Sequence, residues 1–371
     1  MAQGSRLHLS YERMALLVSG APAYQGGEVI SPLSLQRVQD INYSFNYNAQ
    51  QVREIGSFEY IKDRNPLNSR IPIISQPSVN LNFSYFLYDA FNEKQIGLNV
   101  GPGGIFNFPS PLYRAPNFEN NPSAIAQKGD VNFFVLAEPS SWRKDIVGRQ
   151  ETFPFQGLDL IGFGNCYLNS YNLSASVGNF VSCSLSYQCS NISFDIYDHA
   201  NPPLPPSVSV TGQRAHGMVD LPEEQIKDQV EHPNSEKSIL VLRPGDLEVN
   251  LTNNKPNSEG GFNLLELNSK KMAIQSVDIS VNIDRKDING FGSNYIKDRK
   301  MQFPILCGLN FSVIARNFED KVDIERIFRD DVDFDVELMM YIRDTLTEKR
   351  PKLRIKIESA KLNSESHSVN V

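Results

Sequence analysis

Along residues 41–47 apolar and polar side chains exchange places without a break. Ile41, Tyr43, Phe45 and Tyr47 hold one parity; Asn42, Ser44 and Asn46 hold the other. Residues 277–283 repeat the alternation with Val277, Ile279, Val281 and Ile283 against Asp278, Ser280 and Asn282, and so do residues 79–85. A period of two is the mark of a strand with one buried face. Residues 167–177 and 181–196 read as two further strands joined by a hairpin turn at Gly178-Asn179. Helical periodicity is confined to three short stretches, 50–54, 221–231 and 322–328. The pattern predicts a mainly β protein of sandwich or barrel type with short flanking helices.

Self-similarity organises the chain. The segment VQDINYSFNYNAQQVREIG (residues 38–56) aligns without a gap to IQSVDISVNIDRKDINGFG (residues 274–292), and its apolar positions agree throughout. A shared YIKDR follows, at residues 60–64 and 295–299. LNFS recurs at 81–84 and 309–312, DVNFFV at 130–135 matches DVDFDV at 331–336, and residues 161–177 match 355–371. Blocks in the same order predict two tandem β domains, residues 1–200 and 238–371, joined by a Pro-rich and polar connector at 201–237. The first copy carries an insertion at about 93–129, rich in Gly, Pro and Asn, which reads as a surface loop. Nothing after Val371 matches residues 178–196, so the last hairpin strand of the second copy is expected to be absent, to come from another segment or subunit, or to lie in sequence beyond this end.

Composition narrows the chemistry. Among 371 residues the net charge is −7. An acidic balance argues against a surface built to grip phosphate, but suits a channel that repels a polyanion by like charge. The four cysteines form no CxxC and read as buried free thiols. His8, His199, His216, His232 and His367 are scattered and read as solvated groups rather than metal ligands. The acids Asp330, Asp331, Asp333, Asp335 and Glu337 read as a solvated or interface strand in preference to a cation site. The glycines at 101–104 lack the Lys-Ser/Thr of a phosphate loop. Trp142 reads as a packed anchor under the insertion. No catalytic, cofactor or metal residues are assigned, and the chain is read as no enzyme. No signal peptide and no membrane-length apolar run is visible.

The order strand, polar loop, YIKDR, strand, GDVxF strand and LNSYxLSxSVG hairpin resembles the tail tube proteins of long-tailed bacteriophages. The resemblance implies two packed β-sheets with a flanking helix, six-fold rings with a continuous inner β-barrel, and stacking into a tube through which DNA is ejected. For a duplicated chain it implies trimeric, pseudo-six-fold rings in a virion tail assembled in the bacterial cytoplasm. The implied partners are further copies of the chain and tail proteins such as tape measure, terminator and distal tail components. The strands carrying Ile41, Tyr43 and Phe45, and Val277, Ile279 and Val281, are then candidate pairing strands. Lys62, Asp63, Arg64, Lys297, Asp298 and Arg299 are candidate inter-subunit contacts, of the kind that sets register and partner choice. Reversing the charge of Asp63 or Asp298 is expected to impair assembly while each domain stays folded, as scored by tube formation. Two other functions fit the pattern. One is a tail adaptor or distal ring. The other is a carbohydrate-binding module with Phe106, Phe108 and Tyr113 as its platform.

Overall fold

The structure, a computed structural model, describes residues 14–19, 23–25, 28–46, 78–87, 92–93, 96, 105–106, 130–137, 158–198, 200–208, 214, 218–220, 247–253, 267–268, 273–291, 296, 298–314, 334–343 and 349–361. The strands of the first half are β1 (Met14–Ser19), β2 (Ala23–Gln25), β3 (Glu28–Gln36), β4 (Asp40–Asn46), β5 (Ser78–Phe86), β6 (Ile105–Phe106), β7 (Asp130–Ala137), β8 (Asp159–Ser176), β9 (Ser182–Cys189), β10 (Asn191–Ile196) and β11 (Met218–Asp220). Those of the second half are β12 (Leu247–Asn253), β13 (Leu267–Asn268), β14 (Ala273–Asn282), β15 (Arg285–Ile288), β16 (Asp298–Met301), β17 (Leu306–Ile314), β18 (Phe334–Arg343) and β19 (Lys349–Ala360). The mainly β reading therefore holds. The three helical stretches lie outside the described residues.

A 12-stranded sheet runs in the order β11-β3-β1-β7-β8-β9-β5-β4, with β10 and β14 added on β8, β17 on β14 and β2 on β3. A five-stranded sheet runs β13-β12-β18-β19-β6. The large sheet curls back on itself. Phe133 of β7 packs 4.7 Å from Tyr187 of β9 and 5.5 Å from Phe83 of β5, ring centre to ring centre. Residues of alternate parity on β5, β9 and the later part of β8 enter this core, and the other parity is Ser and Asn apart from Phe86 and Gln188. β7 differs: Val131 to Ala137 are all buried, because Phe133 and Val135 face the main core while Phe134 and Leu136 face a second, smaller one. A strand covered on both faces loses its alternation, which is why the sequence VNFFVLA shows none.

The 18-residue β8 is the backbone of the arrangement. Residues Asp159 to Gly164 lie between β7 and β10; residues Ser170 to Ser176 lie between β9 and β14. The exchange of neighbours occurs at Asn165, whose φ is +51°. Asn is among the few side chains that tolerate this left-handed backbone. Its side-chain oxygen accepts from the Val208 amide at 2.8 Å, and its own amide donates to the Asn132 oxygen at 3.1 Å. The hairpin turn falls where the sequence places it, with Gly178 at φ +91°. The strand expected over 181–196 is instead two, broken at Ser190 and serving different halves of β8.

The described residues of the connector do not stand clear of the first half. Pro205 and Pro206 are buried, and Pro206 passes so close to Gly164 that a Cβ there would meet its carbonyl oxygen at 2.2 Å. Arg214 donates to the carbonyl oxygens of Leu204 and Pro205 and pairs with Asp195 at 3.0 Å. β11 then adds in parallel to β3. Nor is the insertion all surface: Glu93 and Ile96 are buried, and β6 pairs in parallel with β19 in the second half. Phe106 thus belongs to a sheet edge, while Phe108, Tyr113, Trp142, residues 101–104 and the five histidines lie outside the described residues.

Candidate assembly edges

Two strand pairs stand in the same register. In β4·β5, Ile41 faces Phe83, Tyr43 faces Leu81 and Phe45 faces Val79. In β14·β17, Val277 faces Phe311, Ile279 faces Leu309 and Val281 faces Cys307. Positions that align in the sequence therefore occupy matching rungs. The outer pairs agree less closely: Val135 faces Ile161, whereas Val336 faces Ile357 and the aligned Ile355 faces Leu338. A slip of two residues keeps every side chain on its own face.

The environments of the matching strands differ. β14 is bonded on both sides, by β17 and by β8, through seven consecutive rungs from Ser176/Ser276 to Ser170/Asn282. The ladder is lengthened at both ends, where Val177 donates to the Gln275 carbonyl and Ile283 to the Asn169 carbonyl. Val277, Ile279 and Val281 are accordingly 4%, 3% and 1% exposed. β4 ends the large sheet: it pairs with β5, and among the described residues no strand lies on its other side. Tyr43 and Phe45 are 38% and 42% exposed. β17 ends the branch through β14, bonded to β14 alone among described strands, with Leu306 and Ile314 exposed. Such edges are ready templates for another chain.

The second YIKDR contributes at the β8·β14 joint. Arg299 is buried, and its guanidinium donates to the Gln188 carbonyl at 3.0 Å and to Asp287 Oδ1 at 3.1 Å. It also lies 5.3 Å from the centre of the Tyr167 ring, which Arg285 approaches to 5.1 Å. Arg285 donates on to the Leu168 carbonyl. Two arginines of the β15–β16 hairpin thus grip β8 and β9. Asp298 lies on β16 opposite Ile288; Lys62, Asp63, Arg64 and Lys297 lie outside the described residues. The sequence reading missed Arg285 and Tyr167, because nothing local marks partners more than a hundred residues apart.

Charge is distributed in an unexpected way. Six strands in the order β4-β5-β9-β8-β14-β17 share a polar face built of Ser, Asn and few other residues. One row across it reads Asp40, Ser84, Ser184, Asn172, Ser280, Gly308. The face is not acidic in the manner the net charge suggests. The acid row of β18 is matched by cations on β19: Asp335 pairs with Lys356 at 3.4 Å and Glu337 with Arg354. Among the described residues no group of three or more His, Cys, Asp or Glu is placed to hold a metal ion.

A buried polar cluster lies on the core side of these strands. Tyr85 donates to Glu93 Oε1 at 2.6 Å and Tyr171 to the same oxygen at 3.3 Å, with Cys183 Sγ 3.3 Å from the Tyr171 hydroxyl. Burial, followed by the neighbouring acidic groups, pushes both phenols and the Cys183 thiol well above their ordinary values. The phenols therefore stay protonated and act as donors. Beside them Asn92 bonds both the amide and the carbonyl of Arg37, tying the insertion to the start of β4. The free thiols of Cys166, Cys183 and Cys189 are buried, as the sequence suggests, but Cys307 on β17 is exposed.

No protein-family model matches the chain, and no curated protein matches it. Among solved structures it is similar to the SPP1 tail tube, determined by solid-state NMR and cryo-EM, with 15% identity over 59% of this chain and 85% of that one and a TM-score of 0.27. The fold described above rests on its own strand pairings rather than on that likeness.

Proposed function

We propose that the chain is a structural subunit of a bacteriophage tail that closes into rings through the edges β4 and β17, three chains giving six related β-modules, and that the rings stack into a tube. The observation that carries this reading is the contrast between β14, whose outer edge is taken by β8, and its register match β4, which has no such neighbour among the described residues. The β8·β14 joint serves as a template for the joint between chains. Residues 361–371, KLNSESHSVNV, echo YLNSYNLSASV at 167–177, the part of β8 that holds β14.

Direction also supports closure. The six strands from β4 to β17 alternate antiparallel at every step. The two outer edges therefore run in opposite senses, so a direct contact between them continues the antiparallel alternation from one chain to the next. Joining β4 to β17 leaves neither of these two edges open. The sequence resemblance supplies the tail, the tube and the tail-protein partners.

Electron microscopy of the purified protein tests the proposal: hollow tubes are expected, isolated rings would favour the adaptor, and a persistent monomer would sink both. Cys307 offers a second readout without mutation. Three of the four thiols are buried, so one is expected to react with an aromatic disulfide reagent in the free chain and to be protected after assembly. Desolvation raises the Cys307 thiol above its ordinary value, so less thiolate is present at pH 8 and the rate should climb further at pH 9 than for free cysteine. Unchanged reactivity in assembled particles would remove β17 from the interface.

A further inference from the structure

We propose that Cys166 and Cys189 are a disulfide-forming pair, a covalent modification site that staples β8 to β9 beneath the joint between the two halves of the chain when the protein meets an oxidising medium. The proposal uses no feature of the ring and stands apart from the reading above.

Register brings the two residues together. Tyr167 of β8 is opposite Gln188 of β9, and Gly164 is opposite Asn191 of β10. Between these rungs lie Asn165 and Cys166 on one strand, Cys189 and Ser190 on the other, so Cys166 stands opposite Cys189. The strands stay together across this gap, for the Ser190 amide donates to the Gly164 carbonyl at 2.9 Å. Both cysteines are 0% exposed and belong to the main core, so both side chains take the same face of the sheet. Opposed residues of antiparallel strands have Cα atoms about 4.5–5.5 Å apart, inside the window of about 4.4–6.8 Å that a disulfide spans. Tyr187 is a neighbour of both thiols: burial first, then Cys166 and Cys189, push its phenol well above its ordinary value.

The other two thiols have different surroundings. Cys183 lies six residues from Cys189, about 20 Å along β9. It is opposite Leu173, with its Sγ 3.3 Å from the Tyr171 hydroxyl. Cys307 lies on β17, which β14 separates from β8. The rung beside the pair is the one the second half grips, since Arg299 donates to the Gln188 carbonyl and both Arg299 and Arg285 lie over the Tyr167 ring. A bond between the two sulfurs closes residues 167–188 into a loop. That loop carries Ser170–Ser176, the edge of β8 that β14 takes.

All four thiols are free in the structure. With oxidised glutathione, the thiolate of one cysteine attacks a reagent sulfur and expels one glutathione thiolate. The thiolate of the other cysteine then attacks the protein sulfur of this mixed disulfide and expels the second. Two electrons pass from the cysteines to the reagent, which leaves as two thiols carrying the two protons. Because both sulfurs are buried, the exchange runs through openings of the hairpin.

The test holds the full chain in a glutathione redox buffer, at a urea concentration just below its unfolding transition, so that β8 and β9 open and reclose. Free thiols are then alkylated in denaturant and the digest is read by mass spectrometry. One internal linkage is expected, Cys166 to Cys189, with Cys183 free and Cys307 free or capped by glutathione. Amide exchange across residues 167–188 should slow at least about tenfold in the oxidised chain and recover on reduction. Cys307→Ser, which removes the exposed thiol, should form the same linkage. Glutathione on Cys166 or Cys189 without the linkage would overturn the proposal. So would linkage of either residue to Cys183 or Cys307 at comparable yield. Thiols still free after amide exchange shows that the hairpin has opened would overturn it as well.

Discussion

Arg299→Ala is expected to destabilise the chain by about 3 kcal/mol, through hydrogen bonds from a charged donor at roughly 1.5–3 kcal/mol each and a ring contact at roughly 0.5–2 kcal/mol, less what water restores. The Asp287 carboxylate contributes the smaller part, because its side chain is 38% accessible and its attraction is screened. The bond to the Gln188 carbonyl and the stack on Tyr167 are more sheltered, since the Arg299 side chain itself is only 2% accessible. The loss falls on the grip of the β15–β16 hairpin on β8 and β9. Amide exchange should therefore quicken there before it does in β7. Arg299→Lys should recover little, because an ammonium cannot reach Asp287 and Gln188 with a planar fork while lying on Tyr167. Urea titration of the three proteins measures this, and a loss below about 0.5 kcal/mol for Arg299→Ala would mean that the clamp is ornamental.

What the sequence could and could not convey follows from the range of the interactions. β5 and β14 were legible because burial of one face writes itself into every second residue, and β4 carries the same alternation although Tyr43 and Phe45 are exposed in the single chain. The Gly178 turn was legible because positive φ selects glycine. The break at Ser190 also has a local trace. Apolar residues occupy odd positions through Cys183, Leu185, Tyr187 and Cys189, then even ones at Ile192, Phe194 and Ile196. That phase slip marks where one strand becomes two. The neighbours of β8 left no such trace, since hydrogen bonds between backbones do not specify which strand takes which edge. The local balance of charge was illegible for a related reason. Net charge is a sum over the surface, and the acids of β18 are balanced by Arg354 and Lys356 on the adjoining strand. The Glu93 cluster was missed because a lone acid in a loop-like stretch looks solvated until Tyr85 and Tyr171 are seen to donate to it.

Lysine substitutions at Ile279 and Tyr43, which occupy matching rungs, should have opposite consequences. At Ile279, 3% exposed and held between β8 and β17, an ammonium would be buried where the core offers no counter-charge on that rung. The expected cost exceeds about 4 kcal/mol, enough to unfold a marginal domain. At Tyr43, 38% exposed, the new side chain can reach solvent past the open edge. The edge contact of its ring with Phe163, 5.4 Å between centres, is lost, at roughly 0.5–1.5 kcal/mol. The Tyr43→Lys chain should thus remain folded, with near-wild-type circular dichroism and melting. Assembly is another matter, for closing a strand over β4 would bury that lysine as β8 buries Ile279, and inward charge on an edge is a standard bar to pairing. Tyr43→Lys should therefore stay monomeric in sedimentation at concentrations where the wild type forms particles, and adding Phe45→Lys should deepen the defect. Particles formed at wild-type yield by the double variant would show that β4 is not the edge through which the chains join.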